Sequence, residues 1–300
     1  MTTKVAQEYV IPAPEFRGAS LALGSCTDRE VCLDGPAGTG KTYGALYKIH
    51  TSLLRYPGAR ALVARKSNTA LAGSAMVTLR EDILRPEESV TYFGGNRVRP
   101  AGFYYPNGSE LIVNGLDKPE KVKSTAFDFA LINEATECEI ADIEFVRSRL
   151  RHGKAAYHQL IKDVNPDAPT HWLNQRMQAG LTTRLISRHE DNPRYFDTRT
   201  RAWTDEGRDY IEGILGGLTG VRLARLRYGI WAAAEGIVYE ESWDRARCVI
   251  PRRPLPMDWP RYLIIDFGFT NPFVCLWVAQ DPDGRLYVYR EIYKTKTLVE

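Results

Sequence analysis

The stretch that decides the fold is Val31–Thr42, which reads VCLDGPAGTGKT. A short apolar run ends at Asp34, and residues 35–42 then fit the pattern G-x-x-x-x-G-K-[ST]. Such a loop binds phosphate when it joins a buried strand to a helix, because its backbone N–H groups and the helix N-terminus face the phosphate oxygens. The sequence therefore predicts a nucleotide-binding site here.

The residues of this loop have separate expected roles. Glycines let the backbone turn inward around the phosphates. Lys41 is expected to neutralise the β- and γ-phosphates during catalysis, and the Thr42 hydroxyl to ligate Mg²⁺. The expected nucleotide contacts are Gly35, Pro36, Ala37, Gly38, Thr39, Gly40, Lys41 and Thr42.

The surrounding pattern is that of an α/β protein with a mainly parallel sheet flanked by helices. An amphipathic helix follows the loop, with one face formed by Ala45, Leu46, Ile49, Leu53 and Leu54. Continuous apolar or mixed runs predict buried strands at Ala61–Ala64, Phe127–Ile132 and Gln159–Val164. The segment from Tyr104 to Val113 predicts a hairpin that turns at Asn107-Gly108.

A second acidic site is expected where the strand Phe127–Ile132 ends. P-loop enzymes usually place an Asp there, near Mg²⁺, followed by an acid that positions the attacking water. This chain has Asn133 and Glu134 instead. We expect Asn133 to contact the metal through a water molecule and Glu134 to be the catalytic carboxylate, with Glu137 as the alternative. The two residues also suit the start of a helix as capping residues.

The second half of the chain predicts a change of domain. A helical pattern covers residues 205–228, with a break at Gly216-Gly217, and the proline-rich stretch Pro251–Pro260 then resists helix and sheet. A β pattern follows it. We expect an ATPase-type domain at 1–250 that includes a helical linker region at about 205–250, a linker at 251–260, and the beginning of another domain at 261–300.

Composition narrows the class of protein without giving its function. The 300 residues are 44% hydrophobic and 26% charged, which is usual for globular domains, and no apolar run is long enough to span a membrane. A net charge of +3 neither requires nor excludes nucleic acid. Arginine clusters at 147, 149 and 151 and at 222, 225 and 227 suit either phosphate contact or a solvated helix face, and Arg147 and Arg151 are expected to share a helical face.

Several short segments, in this order, resemble the large terminase subunit of tailed double-stranded DNA bacteriophages. They are the phosphate-binding loop, Tyr105–Ser109, Gly115–Asp117, Lys121–Ser124, Ile132–Glu137, Ser148–Arg151, Asn165-Pro166 with His171-Trp172, and Gly229–Trp231 with Glu235-Gly236. The resemblance implies a P-loop ATPase of the additional-strand type that uses ATP and Mg²⁺ to pump double-stranded DNA into a procapsid. It also implies a homo-oligomeric ring, a portal protein and a small terminase subunit as partners, no membrane, and a place in the host cytoplasm and transiently at the portal vertex.

The same resemblance assigns further residues. Val164–Pro166 corresponds to a motif that couples hydrolysis to motion, and Lys123 lies where some members have an arginine that reaches the neighbouring subunit's site. Because a lysine cannot reproduce the planar guanidinium, Arg65, Arg147 and Arg149 remain alternatives. Phe16-Arg17 stands where the family often has an adenine-contacting glutamine.

The resemblance also implies that an RNase-H-like nuclease domain begins here, with Asp266, at the end of the apolar run Leu263–Ile265, as its first metal ligand. Two-metal cleavage needs several carboxylates around Mg²⁺ or Mn²⁺, so no nuclease activity is expected from residues 261–300 alone. The alternative from the local sequence alone is that Asp266 is a turn residue at a strand end.

Two other functions remain open from the sequence. One is a different P-loop NTPase, such as a helicase or a small-molecule kinase. The other is a non-catalytic assembly module in which nucleotide only orders the fold, an idea that Asn133 favours. ATP turnover would separate the assembly module from the ATP-driven motor.

Overall fold

The computed structural model describes residues 14–117, 123–233, 248–268 and 272–294. Its internal contacts divide the chain into two units, Met1–Val238 and Tyr239–Glu300. The domain boundaries expected at residues 250 and 260 remain predictions. No helix in the described ranges is long and apolar enough to cross a membrane.

The first unit is built on an eight-stranded sheet with the order β3-β4-β5-β2-β6-β7-β1-β8. The strands are β1 Glu30–Asp34, β2 Arg60–Arg65, β3 Thr91–Phe93, β4 Gly102–Tyr104, β5 Glu110–Gly115, β6 Phe129–Ile132, β7 Gln159–Val164 and β8 Thr183–Ile186. Neighbouring strands from β5 to β8 pair in parallel, whereas β3–β4 and β4–β5 are antiparallel. The predicted mainly parallel α/β sheet is confirmed.

Helices cover this sheet and the loops at its edges. They are α1 Gly18–Ser25, α2 Lys41–Arg55, α3 Asn68–Ala72, α4 Ala75–Thr78, α5 Ile140–Ser148, α6 Trp172–Gln178, α7 Asp205–Arg208 and α8 Gly220–Leu226. Wider π-helical turns extend α4 through Leu79–Ile83 and α7 through Asp209–Ile214, and a further short strand pair, β9 Phe196–Asp197 and β10 Ala202–Trp203, precedes α7. The helical region predicted from residue 205 is thus confirmed, with its break at Leu215–Gly217 before α8.

The core lies on both faces of the sheet, which explains why its strands are continuously apolar. In β1, Val31 and Leu33 belong to the cluster beneath α2, whereas Cys32 faces the opposite cluster, which includes residues of α5 and α6. The predicted apolar face of α2 is confirmed for Ala45, Leu46, Ile49 and Leu53, which are fully buried. It is wrong for Leu54, which is 40% exposed.

The hairpin between β4 and β5 turns where the sequence predicts. Gly108 has a φ of 81°, a left-handed conformation that suits glycine, and the Asn107 carboxamide oxygen accepts a hydrogen bond from the Ser109 N–H at 3.1 Å. The Asn107 amide also donates to the carbonyl of Leu53 at 2.9 Å, near the end of α2. One side chain therefore forms the turn and satisfies a carbonyl at the helix C-terminus.

Two element boundaries differ from the predictions. Strand β6 begins at Phe129, because the preceding Asp128 turns its carboxylate toward the backbone N–H groups of Arg60, Lys154 and Ala155 at 2.9–3.1 Å. Helix α5 ends at Ser148. Arg151 therefore lies beyond the helix, and the expectation that it shares a helical face with Arg147 is wrong.

The second unit contains a three-stranded antiparallel sheet. Its strands are β11 Arg261–Asp266, β12 Phe273–Gln280 and β13 Leu286–Lys294, with β12 in the centre. These are the β segments that the sequence predicts. The start of a nuclease domain remains a prediction.

Candidate active site

The phosphate-binding loop connects β1 to α2 in the predicted way. Gly38 and Gly40 have φ angles of 75° and 82°, so each uses the left-handed conformation that glycine adopts without strain. Gly35 lies so close to the neighbouring backbone that an added Cβ would be 2.2 Å from the carbonyl oxygen of Ser187. A side chain at position 35 would therefore displace the loop.

Lys41 points back into the loop from the first turn of α2. Its ammonium donates hydrogen bonds to the carbonyl of Gly35 at 2.9 Å and to the Asn165 carboxamide oxygen at 3.2 Å, and also to the carbonyl of Pro36. Burial lowers the pKa of Lys41 to about 8, against the opposing influence of Asp163. The ammonium is thus held inside the loop, where it can meet phosphate oxygens.

Residues far along the chain support the same loop. The Ala37 N–H donates to the carbonyl of Leu226 at 3.0 Å, at the end of α8. The His189 ring donates to the carbonyl of Ala37 at 2.9 Å, and the Asn192 amide donates to the carbonyl of Gly38 at 2.7 Å. The loop therefore has a fixed shape that is set by the segment after β8 and by α8.

Asn133 and Glu134 follow β6 at the edge of the sheet where the loop lies. Glu134 has φ 51° and ψ 54°, a conformation that side-chain-bearing residues rarely adopt and that is frequent at functional sites. Burial, and then the Asp163 carboxylate, raise the pKa of Glu134 to about 7. Among the described residues, no hydrogen bond holds the Glu134 carboxylate, so it is available to a water molecule.

Asp163, next to last in β7, is a residue that the sequence interpretation missed. Its carboxylate accepts hydrogen bonds from the Thr42 hydroxyl, from the Asn133 amide at 3.0 and 3.2 Å, and from the Glu134 N–H at 3.1 Å. Burial raises the pKa of Asp163, whereas these hydrogen bonds lower it. The signal in the sequence was a carboxylate at the end of a strand whose partners on both sides are buried.

Glu137, the alternative catalytic carboxylate, is already engaged. It forms a two-fold ion pair with the Arg65 guanidinium, with one N–O distance of 2.8 Å. Arg65 is the last residue of β2, and the two members of this pair act on the Glu134 carboxylate with opposite charge. The geometry favours Glu134 over Glu137 as the residue that faces a substrate.

The Asn165-Pro166 and His171-Trp172 segments connect this site to the end of the first unit. The His171 ring donates to the carbonyl of Thr136 at 3.2 Å, and the Trp172 indole donates to the carbonyl of Cys138 at 3.0 Å. The Trp231 indole donates to the Asp34 carboxylate at 3.0 Å, directly before the phosphate-binding loop. The loop after Glu134 and the loop before Lys41 are thus both held by aromatic side chains.

The remaining sequence candidates lie elsewhere. Lys123 is exposed, and the Arg149 guanidinium donates to its carbonyl at 2.7 Å. Arg147 lies 3.5 Å from Glu30 at the opposite edge of the sheet. Arg225, proposed for DNA contact, forms an ion pair with Asp167 at 2.7 Å. The structure therefore brings Arg65 to the candidate site of its own chain, and the other three candidates for the residue acting on a neighbouring subunit lie away from it.

Phe16 and Arg17, the expected adenine region, adjoin α2 and the segment after β8. The Phe16 ring contacts Tyr47 with centroids 5.0 Å apart, and the Arg17 guanidinium donates to the carbonyl of Phe196 at 2.7 Å. Asp266 is exposed at the end of β11. Within the described ranges, no group of three or more His, Cys, Asp or Glu residues is arranged to hold a metal ion.

A magnesium ion bound with nucleotide fits the residues at the loop. Magnesium prefers oxygen ligands and is commonly held by one or two carboxylates together with substrate phosphates and water. The Thr42 hydroxyl and the buried Asp163 carboxylate supply such oxygens side by side, and the Asn133 carboxamide lies against both. A large cluster of acids is not required for this kind of site.

Comparisons with known proteins agree with this architecture. A family model described as phage terminase large subunit matches residues 29–201. The chain is similar in fold to the large terminase of a thermophilic bacteriophage, with a TM-score of 0.60 and 17% identity over 94% of this chain and 69% of that one. The same phage protein with ADP gives a TM-score of 0.57 and 16% identity over 93% and 68%, and with ATP-gamma-S 0.53 and 17% over 93% and 68%. No curated protein matches the chain.

Proposed function

Since the chain belongs to the phage terminase large subunit family, we propose that it is an ATP-hydrolysing motor that drives double-stranded DNA into a procapsid. The observation that carries the proposal is the meeting of three groups at one edge of the sheet. The Lys41 ammonium, the Thr42 hydroxyl and the Glu134 carboxylate come together there around a loop of fixed shape. This arrangement suits the transfer of a phosphoryl group to water.

Each residue has a role that follows from its position. Backbone N–H groups of residues 35–40 and the N-terminus of α2 hold the phosphates of ATP. Lys41 leaves the loop carbonyls and donates to the β- and γ-phosphates, which stabilises the charge that develops on them. Glu134 accepts a hydrogen bond from the attacking water and takes its proton.

Thr42 is the proposed magnesium ligand, and Asn133 contacts the metal through water. When bound there, magnesium neutralises part of the phosphate charge. The Asn165 carboxamide oxygen accepts a hydrogen bond from the Lys41 ammonium at 3.2 Å. A movement of Lys41 toward phosphate would therefore break a contact with the proposed coupling motif, Val164–Pro166. This contact gives hydrolysis a route to the segment that follows β7.

The family also supports proposals for the assembly. We propose a homo-oligomeric ring that binds the portal protein and the small terminase subunit, in the host cytoplasm and transiently at the portal vertex. The candidates for the residue that acts on the neighbouring site are Lys123, Arg65, Arg147 and Arg149, of which Arg65 is paired with Glu137 and Arg147 with Glu30 of the same chain. The nuclease role of Asp266, with Mg²⁺ or Mn²⁺ in a complete site, is proposed from sequence resemblance alone.

Phosphate release from ATP tests the proposal. Lys41→Ala should lower turnover by roughly 100-fold or more, since a preorganised group that stabilises transition-state charge is lost. Lys48→Met is the matched control, because the Lys48 ammonium is on the same helix but donates to the carbonyls of Leu23 and Cys26. Equal turnover in Lys41→Ala and the parent would refute the motor, and nucleotide binding without turnover in the parent would favour an assembly module.

DNA translocation needs a second measurement. Procapsids that carry the portal, mixed with the chain and its small subunit, should protect double-stranded DNA from added nuclease only when ATP is present. Protection by the Lys41→Ala variant would separate packaging from this site and contradict the proposal.

A further inference from the structure

The strand ends at the candidate site have an unusual distribution of charge. Asn133, at the end of β6, takes the place where P-loop enzymes usually have an Asp. Strands β6 and β7 are parallel neighbours, with Ile132 opposite Lys162. Asn133 and Asp163 are therefore adjacent across the sheet, and both residues are 2% exposed.

Asp163 is surrounded by neutral donors. Its carboxylate accepts from the Thr42 hydroxyl, the Asn133 amide and the Glu134 N–H, and no ion pair to it is found among the described residues. Lys41 acts on Asp163 electrostatically, but its ammonium donates to the loop carbonyls and Asn165. A buried carboxylate without a cation in contact is costly, and an incoming cation removes that cost.

The contact between residue 133 and Asp163 explains why an Asn at position 133 is compatible with this site. The Asn133 nitrogen lies 3.0 Å from an Asp163 oxygen. An Asp at position 133 would place two carboxylates at that distance, where like charges repel. Asn donates a hydrogen bond instead, so the pair Asn133–Asp163 carries a single negative charge beside Thr42.

We propose that Asp163 on β7, and not a residue at the end of β6, supplies the carboxylate that holds the magnesium of the bound nucleotide, with Asn133 orienting it. The proposal rests on the proposed ATPase function. It names a metal-binding residue outside the acidic segment that follows β6. It also gives Asn133 a positioning role toward Asp163, in addition to its proposed contact with the metal through water.

The test measures the affinity for a fluorescent, slowly hydrolysed ATP analogue with Mg²⁺ and with EDTA. In the parent, Mg²⁺ should tighten binding. Asp163→Asn removes the proposed metal ligand itself, so this Mg²⁺-dependent gain should fall by at least the roughly 10- to 100-fold that loss of an outer-shell partner costs, while binding in EDTA stays near that of the parent. Mn²⁺ bound with the analogue, detected by electron paramagnetic resonance, should be lost in parallel.

Two further variants separate metal binding from a structural role. Asn133→Ala keeps the Asp163 carboxylate but removes the amide that orients it, so it should lower the Mg²⁺ gain less than Asp163→Asn does. The exchanged pair Asn133→Asp with Asp163→Asn restores one carboxylate and one amide in mirror positions, and should recover Mn²⁺ binding that Asp163→Asn has lost. Thermal melting of each variant shows whether it is folded. If Asp163→Asn does not fold, the exchanged pair still decides the question.

The outcomes distinguish this proposal from the function on which it rests. If the parent binds no nucleotide, the proposed ATPase function fails. If the parent shows a Mg²⁺ gain that folded Asp163→Asn fully retains, or that Asn133→Ala lowers more than Asp163→Asn does, then Asp163 is not the metal carboxylate, although the ATPase function stands. Failure of the exchanged pair to bind Mn²⁺ while folded would also overturn the proposal.

Discussion

Buried carboxylates have different partners at the two ends of the parallel strands, which are called here the amino edge and the carboxyl edge of the sheet. At the amino edge, Glu30 is 8% exposed and accepts from the Lys162 ammonium, the Thr182 hydroxyl and the Arg176 guanidinium. At the carboxyl edge, Asp163 is also buried but accepts only from uncharged donors. Lys162 and Asp163 are consecutive in β7, so their side chains point to opposite faces of the sheet, and the long Lys162 side chain reaches Glu30 at the start of β1.

The difference in partners indicates a structural role for the Glu30 carboxylate and a ligand-binding role for the Asp163 carboxylate. Glu30 has its full set of cationic partners within the chain, so nothing further is needed to stabilise its charge. Asp163 and Glu134 are close enough that the Asp163 carboxylate disfavours the charge on Glu134, and no side chain of the described residues forms an ion pair with either. Such an arrangement opposes folding and favours a cationic ligand, which is the usual compromise at functional sites.

The largest effect is expected where a carboxylate is free of partners. Glu134→Gln keeps the shape of the side chain and removes its ability to take a proton from water. ATP turnover should fall by roughly 10²- to 10⁴-fold, with nucleotide binding and melting temperature near those of the parent. Phosphate release, equilibrium binding and thermal melting measure the three quantities.

Glu137→Gln is the control for that prediction. Its carboxylate is paired with Arg65, so its loss should disturb the loop without removing the proton acceptor. Parent-like turnover in Glu134→Gln together with a strong loss in Glu137→Gln would reverse the assignment of the catalytic carboxylate.

Much of this architecture can be predicted from the sequence, because it depends on local patterns. The phosphate-binding loop, the continuous apolar strands and the Asn107-Gly108 hairpin each specify their own conformation. The chain thereby locates Lys41, Thr42 and Glu134 at strand and helix ends, even before their distances are known.

The partners across the sheet cannot be predicted in that way. Whether Asp163 or Lys162 faces Thr42 depends on which strand lies beside which and in what register, and both depend on contacts distant in sequence. The support of the loop by Leu226 and Trp231 has the same origin. Leu54 was misassigned because a helix face defined by spacing is wider than the surface that the sheet covers.

The same chemical change at the amino edge should affect stability and not activity. Glu30→Gln leaves the buried Lys162 ammonium and Arg176 guanidinium without a carboxylate. We expect the free energy of unfolding to fall by about 3 kcal/mol, since removing one partner of a buried ion pair exposes the cost of burying the other. Urea unfolding measures this loss, and turnover per folded molecule should remain that of the parent. Reduced turnover with unchanged stability would show that the two edges are coupled.

A smaller, graded effect should appear as the pH falls. Although burial raises the pKa of Glu30, the Lys162 ammonium and its hydrogen bond outweigh it and lower that pKa from 4.5 to about 2. A carboxylate whose pKa is lowered by folding stabilises the fold above its unfolded pKa, and this contribution is lost as pH falls from 4.5 towards 2. The difference in unfolding free energy between the parent and Glu30→Gln should therefore be constant from about pH 7 to about pH 5 and shrink below about pH 4.5. A difference that stays constant down to about pH 3 would contradict the lowered pKa.

The smallest effect is expected from removing residues 251–300. Every proposed ATP contact lies before Pro166, and among the described residues the groups that support the loop end at Trp231. Both edges of the sheet thus find their partners within the first unit. ATP turnover and the effect of Glu134→Gln should be the same in the shortened and the 300-residue chains, measured at equal concentration because a ring assembles by mass action. If the shortened chain melts like the parent but has lost turnover, the second unit contributes a group to catalysis. The carboxylates at the carboxyl edge of the first unit would then not be sufficient for activity.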